Sequence, residues 1–181
     1  MADDILSDSQ SEQIARFAEA ARRYCEWVES EPGQPIEEIR IARRLLTQLH
    51  LHAIELPDID WDKDWPEDRR ISNEALIAVC RRFGGLPIQF YWQIFAPLED
   101  AEDGGLPEPV GGELADDFSD IYRDVKEGLD LFDSGYIVGA TWEWRFSFLA
   151  HWGKDLVSAQ TALHEFFALH MDYQPSDESK T

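Results

Sequence analysis

The sequence has few positively charged residues and contains no long apolar run. Its 181 residues include 16 lysines and arginines against 37 aspartates and glutamates, so the formal net charge is -21. A surface of this sign repels the phosphates of nucleic acids and anionic membranes, which argues against both as partners. Because no stretch approaches roughly 18 consecutive apolar residues, we do not expect a membrane-spanning helix.

The sequence also has only two cysteines, Cys25 and Cys80, and they are far apart. This number does not support a disulfide framework or a four-ligand zinc knuckle, so we expect two buried, reduced thiols. The acidic N-terminal segment lacks the apolar run of a signal peptide, and we expect a cytoplasmic location. Motifs of nucleophilic catalysis, phosphate binding and dinucleotide binding are absent from the sequence as well.

Helical patterns fill most of the chain. Hydrophobic residues make up 44% of it, which is enough to build the core of one domain. Apolar residues recur at intervals of three and four, and glycine or proline follows most of these runs. The predicted helices begin at a Ser9–Glu12 capping box, at Pro35, at Asn73 after the Ser72 cap, at about Glu113 and at about residue 137, and the last extends to about residue 171 with a bend at Gly153.

Three segments connect these helices. They are an acidic loop with two tryptophans at 57–70, an aromatic segment at 87–97 and a flexible, Gly/Pro-rich linker at 98–112. The aromatic segment is too short and isolated to indicate a sheet, so we expect an irregular or one-to-two-turn conformation. Four or five helices with short connections predict an all-α fold, an antiparallel helical bundle. We expect one domain over residues 9–173, with flexible ends at 1–8 and 174–181.

The last predicted helix is apolar on nearly all sides, which predicts a central position in the bundle. On a helical wheel of about 100° per residue, Trp144 and Phe148 lie outside one broad apolar face. The residues of that face are Trp142, Phe146, Leu149, Trp152, Gly153, Leu156, Leu163 and Phe167. Arg145, Gln160 and His164 fall within the same face, and a buried guanidinium needs an acidic partner.

The fourth predicted helix supplies carboxylates for this arginine. Asp117, Asp120 and Asp124 lie at positions i, i+3 and i+7, along the margin of its apolar stripe. We therefore predict a polar cluster of Asp117, Asp124 and Arg145 between the last two helices, with His164 farther along. Two interpretations stay open: a ligand or metal pocket, or an ion-pair network that fixes the register of the helices.

Neighbouring residues extend this cluster to a full set of candidate ligand-binding residues. The set is Asp117, Asp120, Tyr122, Asp124, Trp142, Arg145, His151, Trp152 and His164. His151 has Asp155 one turn later, which is typical either of an acid–base site, here beside Trp144 and Phe148, or of a structural hydrogen bond. Trp142, Trp144 and Trp152 together suit either a cage for a cation or core packing.

Metal-binding patterns are weak in this sequence. Aspartates alternate over residues 58–64 as in an EF-hand loop, but Lys63 replaces the glycine at position six and Arg69 replaces the glutamate at position twelve. His164 beside the aspartates of the fourth helix lacks the Glu-x-x-His pattern of dimetal helical bundles. We therefore predict no metal site and no cofactor.

Several segments resemble a known family. LADDFSDIYRDVKEGL at 114–129, WEWRFSFLAHWGKD at 142–155 and the later ALH resemble the bacterial all-helical group called domain-of-unknown-function family 5063. The resemblance extends over about residues 14–165 and implies a helical bundle in a cytoplasmic bacterial protein. It implies no catalytic roles, because the family has no assigned activity. It fits a family motif that contains Asp117, Asp120, Tyr122, Arg123, Asp124, Trp142, Trp144, Arg145, His151 and Trp152.

Charge and motif content together favour one class of function. A strongly negative protein without a catalytic motif is expected to be a non-enzymatic interaction or regulatory protein that binds a basic partner protein. The alternative is a small-molecule- or metal-binding enzyme that uses the Asp/Arg/His cluster between the last two helices. The sequence does not indicate an oligomeric state.

Overall fold

The structure, a computed structural model, describes residues 6–60, 70–94, 97–98 and 107–170. These residues form helices α1 (Asp8–Glu29), α2 (Pro35–Ile54), α3 (Asn73–Phe83), α4 (Leu114–Asp133), α5 (Ile137–Ser147) and α6 (Gly153–His170), strands β1 (Phe90–Gln93) and β2 (Val110–Glu113), and a π-helical turn at Phe148–Trp152. The predicted all-α helical bundle is confirmed, with α5, the π-turn and α6 in place of the last predicted helix. The tail at 174–181, residues 1–5 and residues 61–69 of the acidic loop lie outside the described residues.

Capping residues set most helix ends where we expected them. Pro35 opens α2, the Ser72 hydroxyl caps α3, and Gly135 follows α4 with a positive φ of 88°. The start of α1 was predicted wrongly, because the capping box uses Ser7 and Gln10 instead of Ser9 and Glu12. Leu6, immediately before this cap, packs against the core, as an apolar residue at that position often does at a helix start.

Helix α4 occupies the middle of the molecule. It packs against α1, α3, α5 and α6, and Phe118, Ile121 and Val125 on its apolar stripe are fully buried. The central position that we predicted for the last helix is therefore wrong. That segment packs on α2 and α4 and leaves Phe146 and Leu149 exposed, by 54% and 70%.

The π-turn explains why the helical wheel assigned the wrong face. The Gly153 N–H donates to the Phe148 carbonyl, five residues earlier, so the turn holds one residue more than an α-helix does. A regular wheel separates Trp144 from Trp152 by about 80°, but removing the extra residue reduces this angle to about 20°. Trp144 and Trp152 are accordingly both fully buried, and Trp144 belongs to the core face.

Strands β1 and β2 pair in antiparallel register, with Phe90 opposite Glu113 and Tyr91 opposite Gly112. Our prediction of an irregular conformation is therefore wrong for residues 90–93, as is that of a flexible linker for 110–112. Gly112 is required because a Cβ there would lie 2.6 Å from the Tyr91 ring. The tyrosine ring thus crosses its neighbouring strand and reaches α4.

None of the helices in the described ranges has the length and apolar character needed to cross a membrane.

Candidate functional site

The structure places Arg145 on the surface, away from the aspartates of α4. Its Nε atom lies 3.3 Å from Oδ1 of Asp58, in the segment after α2, and 31% of the arginine side chain is exposed. A guanidinium that stays partly hydrated avoids the desolvation penalty of a buried ion pair. The predicted cluster of Asp117, Asp124 and Arg145 is therefore wrong.

Two further candidates face other parts of the fold. The Tyr122 hydroxyl donates to Oε1 of Glu29 on α1 at 2.9 Å. Trp152 is fully buried, and its Nε1 donates to Oγ of Ser147 at 3.1 Å. Tyr122 therefore joins α4 to α1, and the Trp152 ring packs against Phe17 of α1.

The candidates Trp142 and His164 also lie elsewhere. The Trp142 ring stacks on Phe146 with ring centroids 4.9 Å apart, whereas Trp144 and Trp152 are fully buried, so of the two alternatives for the three tryptophans core packing applies to Trp144 and Trp152. His164 is exposed, and its predicted place within the buried face is wrong. It lines a groove between α2 and α6 whose other lining residues are Glu37, Arg40, Arg43, Arg44, Thr47, Gln48, Phe167 and Ala168.

The structure brings the other four candidates together beside a cavity of ≈ 630 Å³, which we call the acidic pocket. Asp117, Asp120 and His151 line the pocket, and Asp124 contacts His151. The hairpin, the first half of α4, the π-turn and the start of α6 form its walls. Its lining residues are Phe90, Gln93, Val110, Gly111, Gly112, Glu113, Asp116, Asp117, Asp120, Ala150, His151, Lys154 and Asp155.

His151 is oriented by Asp124. Its Nδ1 lies 2.8 Å from Oδ2 of Asp124, whose side chain is only 13% exposed. In the neutral imidazole this contact places the proton on Nδ1 and leaves a lone pair on Nε2. The Arg123 Nη2 atom lies 3.4 Å from Nδ1 and 3.3 Å from Nε2. These nearly equal distances place the guanidinium over the face of the ring.

The Arg123 guanidinium neutralises part of the negative charge of the carboxylates on α4. Its Nη1 is 2.9 Å from Oδ1 of Asp120, and its Nε is 3.2 Å from Oδ1 of Asp124. The helix places these two aspartates three residues before and one residue after the arginine. Arg123 therefore takes the role that we predicted for Arg145.

Asp117 is the most deeply buried carboxylate of the pocket, with 7% of its surface exposed. The Tyr91 hydroxyl donates to its Oδ2 at 2.6 Å. Burial raises the pKa of Asp117 to about 7; the Tyr91 hydrogen bond opposes this shift, and the charges of Asp155, Asp116 and Asp120 add to it. Burial and the contact with Asp117 raise the pKa of the Tyr91 phenol, which therefore stays a proton donor.

Asp155 carries negative charge that its surroundings compensate incompletely. Burial raises the pKa of Asp155 to about 6; His151 opposes this shift, whereas Asp120, Asp124 and Asp116 strengthen it. Its Oδ2 atom is buried and has no hydrogen-bond partner among the described residues. Shifted carboxyl pKa values in a concave site are typical of functional sites.

One group of side chains has the composition of a metal site. Asp120, His151 and Asp155 each offer one ligand atom, and these three atoms lie within 4.8 Å of one another. These residues lie in α4, in the π-turn and in the first turn of α6. The tertiary fold therefore brings them together, and no single sequence motif contains all three.

Sequence reasoning missed several residues of the pocket. Asp155 was paired with His151 but not counted among the candidates, and neither Glu113 nor Asp116 was included. No pattern indicated Tyr91, because its place depends on the pairing of β1 with β2. Arg145 was predicted in place of Arg123 because the π-turn rotates α6 relative to α5, and a regular helical wheel does not include this rotation.

Comparison with known proteins agrees with this architecture. The crystal structure of protein BF1032 from Bacteroides fragilis has a similar fold, with a TM-score of 0.67 and 20% identity over 84% of this chain and 93% of that chain. At this identity the likeness concerns the fold alone. No curated protein matches the chain. Residues 8–168 match the family described as Domain of unknown function (DUF5063), and the chain therefore belongs to that family.

Proposed function

We propose that this protein is a non-enzymatic binding protein whose acidic pocket receives a lysine- or arginine-rich segment of a partner protein. The observation that carries the proposal is the excess of carboxylates over cations in the pocket. Lys154 and the adjacent Arg123 face a larger number of acidic side chains, namely Glu113, Asp116, Asp117, Asp120 and Asp155.

Electrostatics favour a cationic group at this position. The mutual repulsion of the carboxylates contributes to the raised pKa values of Asp117 and Asp155, about 7 and about 6. An ammonium or guanidinium group entering the pocket would relieve that repulsion. The net charge of -21 would also speed the encounter with a basic partner in a salt-dependent manner.

One exposed aromatic ring of β1, that of Phe90, borders these carboxylates. Side chains alternate along β1, so Tyr91 and Gln93 are half-buried while Phe90 and Trp92 are 72% and 77% exposed. The face of an exposed aromatic ring attracts lysine and arginine side chains through its π-electrons. Phe90 thus suits a basic segment that enters the pocket beside β1.

Binding of a labelled octalysine peptide, followed by fluorescence anisotropy at low salt, tests the proposal. The variant Glu113→Gln/Asp116→Asn removes two exposed charges from the pocket, and Glu19→Gln/Glu31→Gln removes two exposed charges from outside it. We expect the pocket variant to bind roughly tenfold more weakly than the matched control. Equal losses in both variants would mean that net charge alone attracts the peptide, and the proposal would fail.

The role of Phe90 is tested separately with an octaarginine peptide. Phe90→Ala should weaken binding several-fold, about 1 kcal/mol, because it removes a cation–π surface at the pocket. Phe146→Ala, which removes an exposed ring outside the pocket lining, serves as the control and should leave binding unchanged. Unchanged affinity in Phe90→Ala would remove the aromatic contact from the proposal.

A small-molecule-binding enzyme is the second candidate, favoured by one specific observation. His151, held by Asp124, shares the pocket with Asp155, whose pKa is about 6, and these are the elements of a general acid–base pair. A thermal-shift screen of metabolites tests this candidate, since a ligand at 100 times its dissociation constant adds about 2.7 kcal/mol of stability. A hit should disappear in His151→Ala and persist in His52→Ala; a flat screen would contradict the candidate.

We also propose a cytoplasmic location in a bacterium. Cys25 and Cys80 are both free thiols, which fits a reducing compartment, and the family resemblance implies the same location. Fractionation of cells that express the natural protein tests this proposal.

A further inference from the structure

We propose that Asp120, His151 and Asp155 bind one divalent transition-metal ion, and that Asp124 is a positioning residue for His151. First-row divalent ions bind nitrogen and oxygen ligands at about 2.0–2.2 Å, which sets the ligand atoms roughly 3–4 Å apart. The three ligand atoms already lie within 4.8 Å of one another, so small rotations of the carboxylates complete the site. A mixed set of one imidazole and two carboxylates suits zinc, manganese, iron or cobalt.

The orientation of His151 is the first argument for this site. Asp124 accepts from Nδ1 at 2.8 Å, so Nε2 is the nitrogen left for a metal. Metal-binding histidines commonly donate their other N–H to a carboxylate in this way. Arg123 lies over the face of the ring and therefore leaves the in-plane lone pair of Nε2 accessible.

The buried oxygen of Asp155 is an independent argument. Its Oδ2 atom has no hydrogen-bond partner among the described residues, although buried polar atoms almost always have one. A metal ion bound through this oxygen would supply the missing partner. The number of acidic residues in the pocket does not by itself require a metal ion, because water molecules can satisfy the hydrogen bonding of an exposed carboxylate.

The charge and the number of ligands also suit a divalent ion. Two carboxylates and a neutral imidazole balance its two positive charges. Arg123 can move away from Asp120 to make room for the ion, because 32% of the arginine side chain is exposed. Three protein ligands leave at least one coordination position open toward the cavity, as in metal sites that bind substrate or water. Metal binding at this site does not depend on a basic partner, because zinc titration requires only the chain and the metal.

Zinc titration of the metal-stripped chain by calorimetry provides that test. We expect one ion per chain and, at about 100 times the dissociation constant, a rise in Tm of at least about 5 °C. His151→Ala and Asp155→Asn should each reduce the affinity at least tenfold. Asp124→Asn should reduce it by about tenfold and change the visible absorption of bound cobalt, because the ring of His151 is no longer held.

Matched controls separate a specific site from general attraction to acid. His52 forms an equivalent pair with Glu55 at 3.2 Å, outside the pocket lining, and His52→Ala should leave the zinc affinity unchanged. Circular dichroism establishes that each variant is folded. Absence of 1:1 binding of zinc, cobalt and manganese, or equal affinity in folded His151→Ala, would overturn the inference. Octalysine binding that fails while zinc binding persists would contradict the basic-partner proposal alone.

Discussion

Asp124 and His151 belong to different helical segments, yet the Oδ2 atom of Asp124 lies 2.8 Å from Nδ1 of His151. The carboxylate is largely buried on α4, whereas the imidazole is 44% exposed at the π-turn. A buried acceptor of this kind fixes both the orientation and the tautomer of the ring. The nitrogen of His151 that makes no contact with Asp124 is therefore Nε2.

The tautomer of His151 provides the first prediction. At about pH 8, nitrogen-15 NMR should show the His151 proton on Nδ1, because that nitrogen donates to Asp124. Asp124→Ala removes the acceptor and should shift the population toward the Nε2-protonated form that is common in free imidazole. The signals of His170, which is outside the pocket, are the internal control. An unchanged His151 spectrum in Asp124→Ala would contradict the assigned contact.

The π-turn provides the second prediction. A Cβ on Gly153 would clash with the Phe148 carbonyl oxygen and lie 2.9 Å from the Phe148 ring. Gly153→Ala should therefore lower the free energy of unfolding by about 1–3 kcal/mol, measured by urea denaturation. In Gly85→Ala, where no described atom lies within 4 Å of the added Cβ, stability should change little. Equal stability of the two variants would argue against the π-turn.

The buried carboxyl of Asp117 provides a pH-dependent prediction. Its folded pKa of about 7 is above the unfolded value of about 3.9, so ionisation opposes folding. The contribution of Asp117 to the free energy of unfolding is fully present below about pH 4 and is lost as the pH rises through about 7. Asp117→Asn retains an acceptor for Tyr91, and we expect it to stabilise the fold by about 2–4 kcal/mol at pH 8 and negligibly at pH 4.

The control for this experiment is Asp133, for which the expected effect of ionisation on stability has the opposite sign. Hydrogen bonding to Arg22 lowers the pKa of Asp133, so its ionised form supports folding. Asp133→Asn should consequently lower the Tm at pH 8, with a loss that diminishes at low pH. Destabilisation at pH 8 by both substitutions would show that the folded protein stabilises the negative charge of Asp117, contrary to its described surroundings.

The crossing of Tyr91 over β2 provides the fourth prediction. Gly112→Ala would place a Cβ 2.6 Å from the Tyr91 ring and displace the hydroxyl from Asp117, whereas Gly111→Ala meets no described atom within 4 Å. We expect Gly112→Ala to lower the Tm by several degrees, about 1–2 kcal/mol, and Gly111→Ala to leave it nearly unchanged. Thermal unfolding by circular dichroism measures both. Similar Tm values would disprove the close approach of the two strands.

Local signals in the sequence predicted the helices better than the site. Proline at the start of α2, the serine cap of α3 and Gly135 after α4 act over a few residues, and these ends were confirmed. The hairpin was missed because the partner of β1 lies well beyond it in sequence, where glycine and proline indicate a linker.

The candidate site was predicted in part for a related reason. Spacing along one helix grouped Asp117, Asp120 and Asp124, and the structure keeps these three near His151. Arg145 was assigned to the buried face because the wheel assumed a regular α-helix through the π-turn. Side chains that approach from other elements, such as Tyr91, leave no trace in local periodicity.

The extra residue of the π-turn also bears on how relatives of different length would keep this architecture. Deleting Ala150 would convert the segment into a regular α-helix while leaving Trp144 and Leu156 in phase on the core. The hydrophobic interior would survive such a shortening, and the change would be confined to the wall that the π-turn contributes to the acidic pocket. Loss or gain of one amino acid here is thus a route by which evolution could reshape the pocket without rebuilding the bundle.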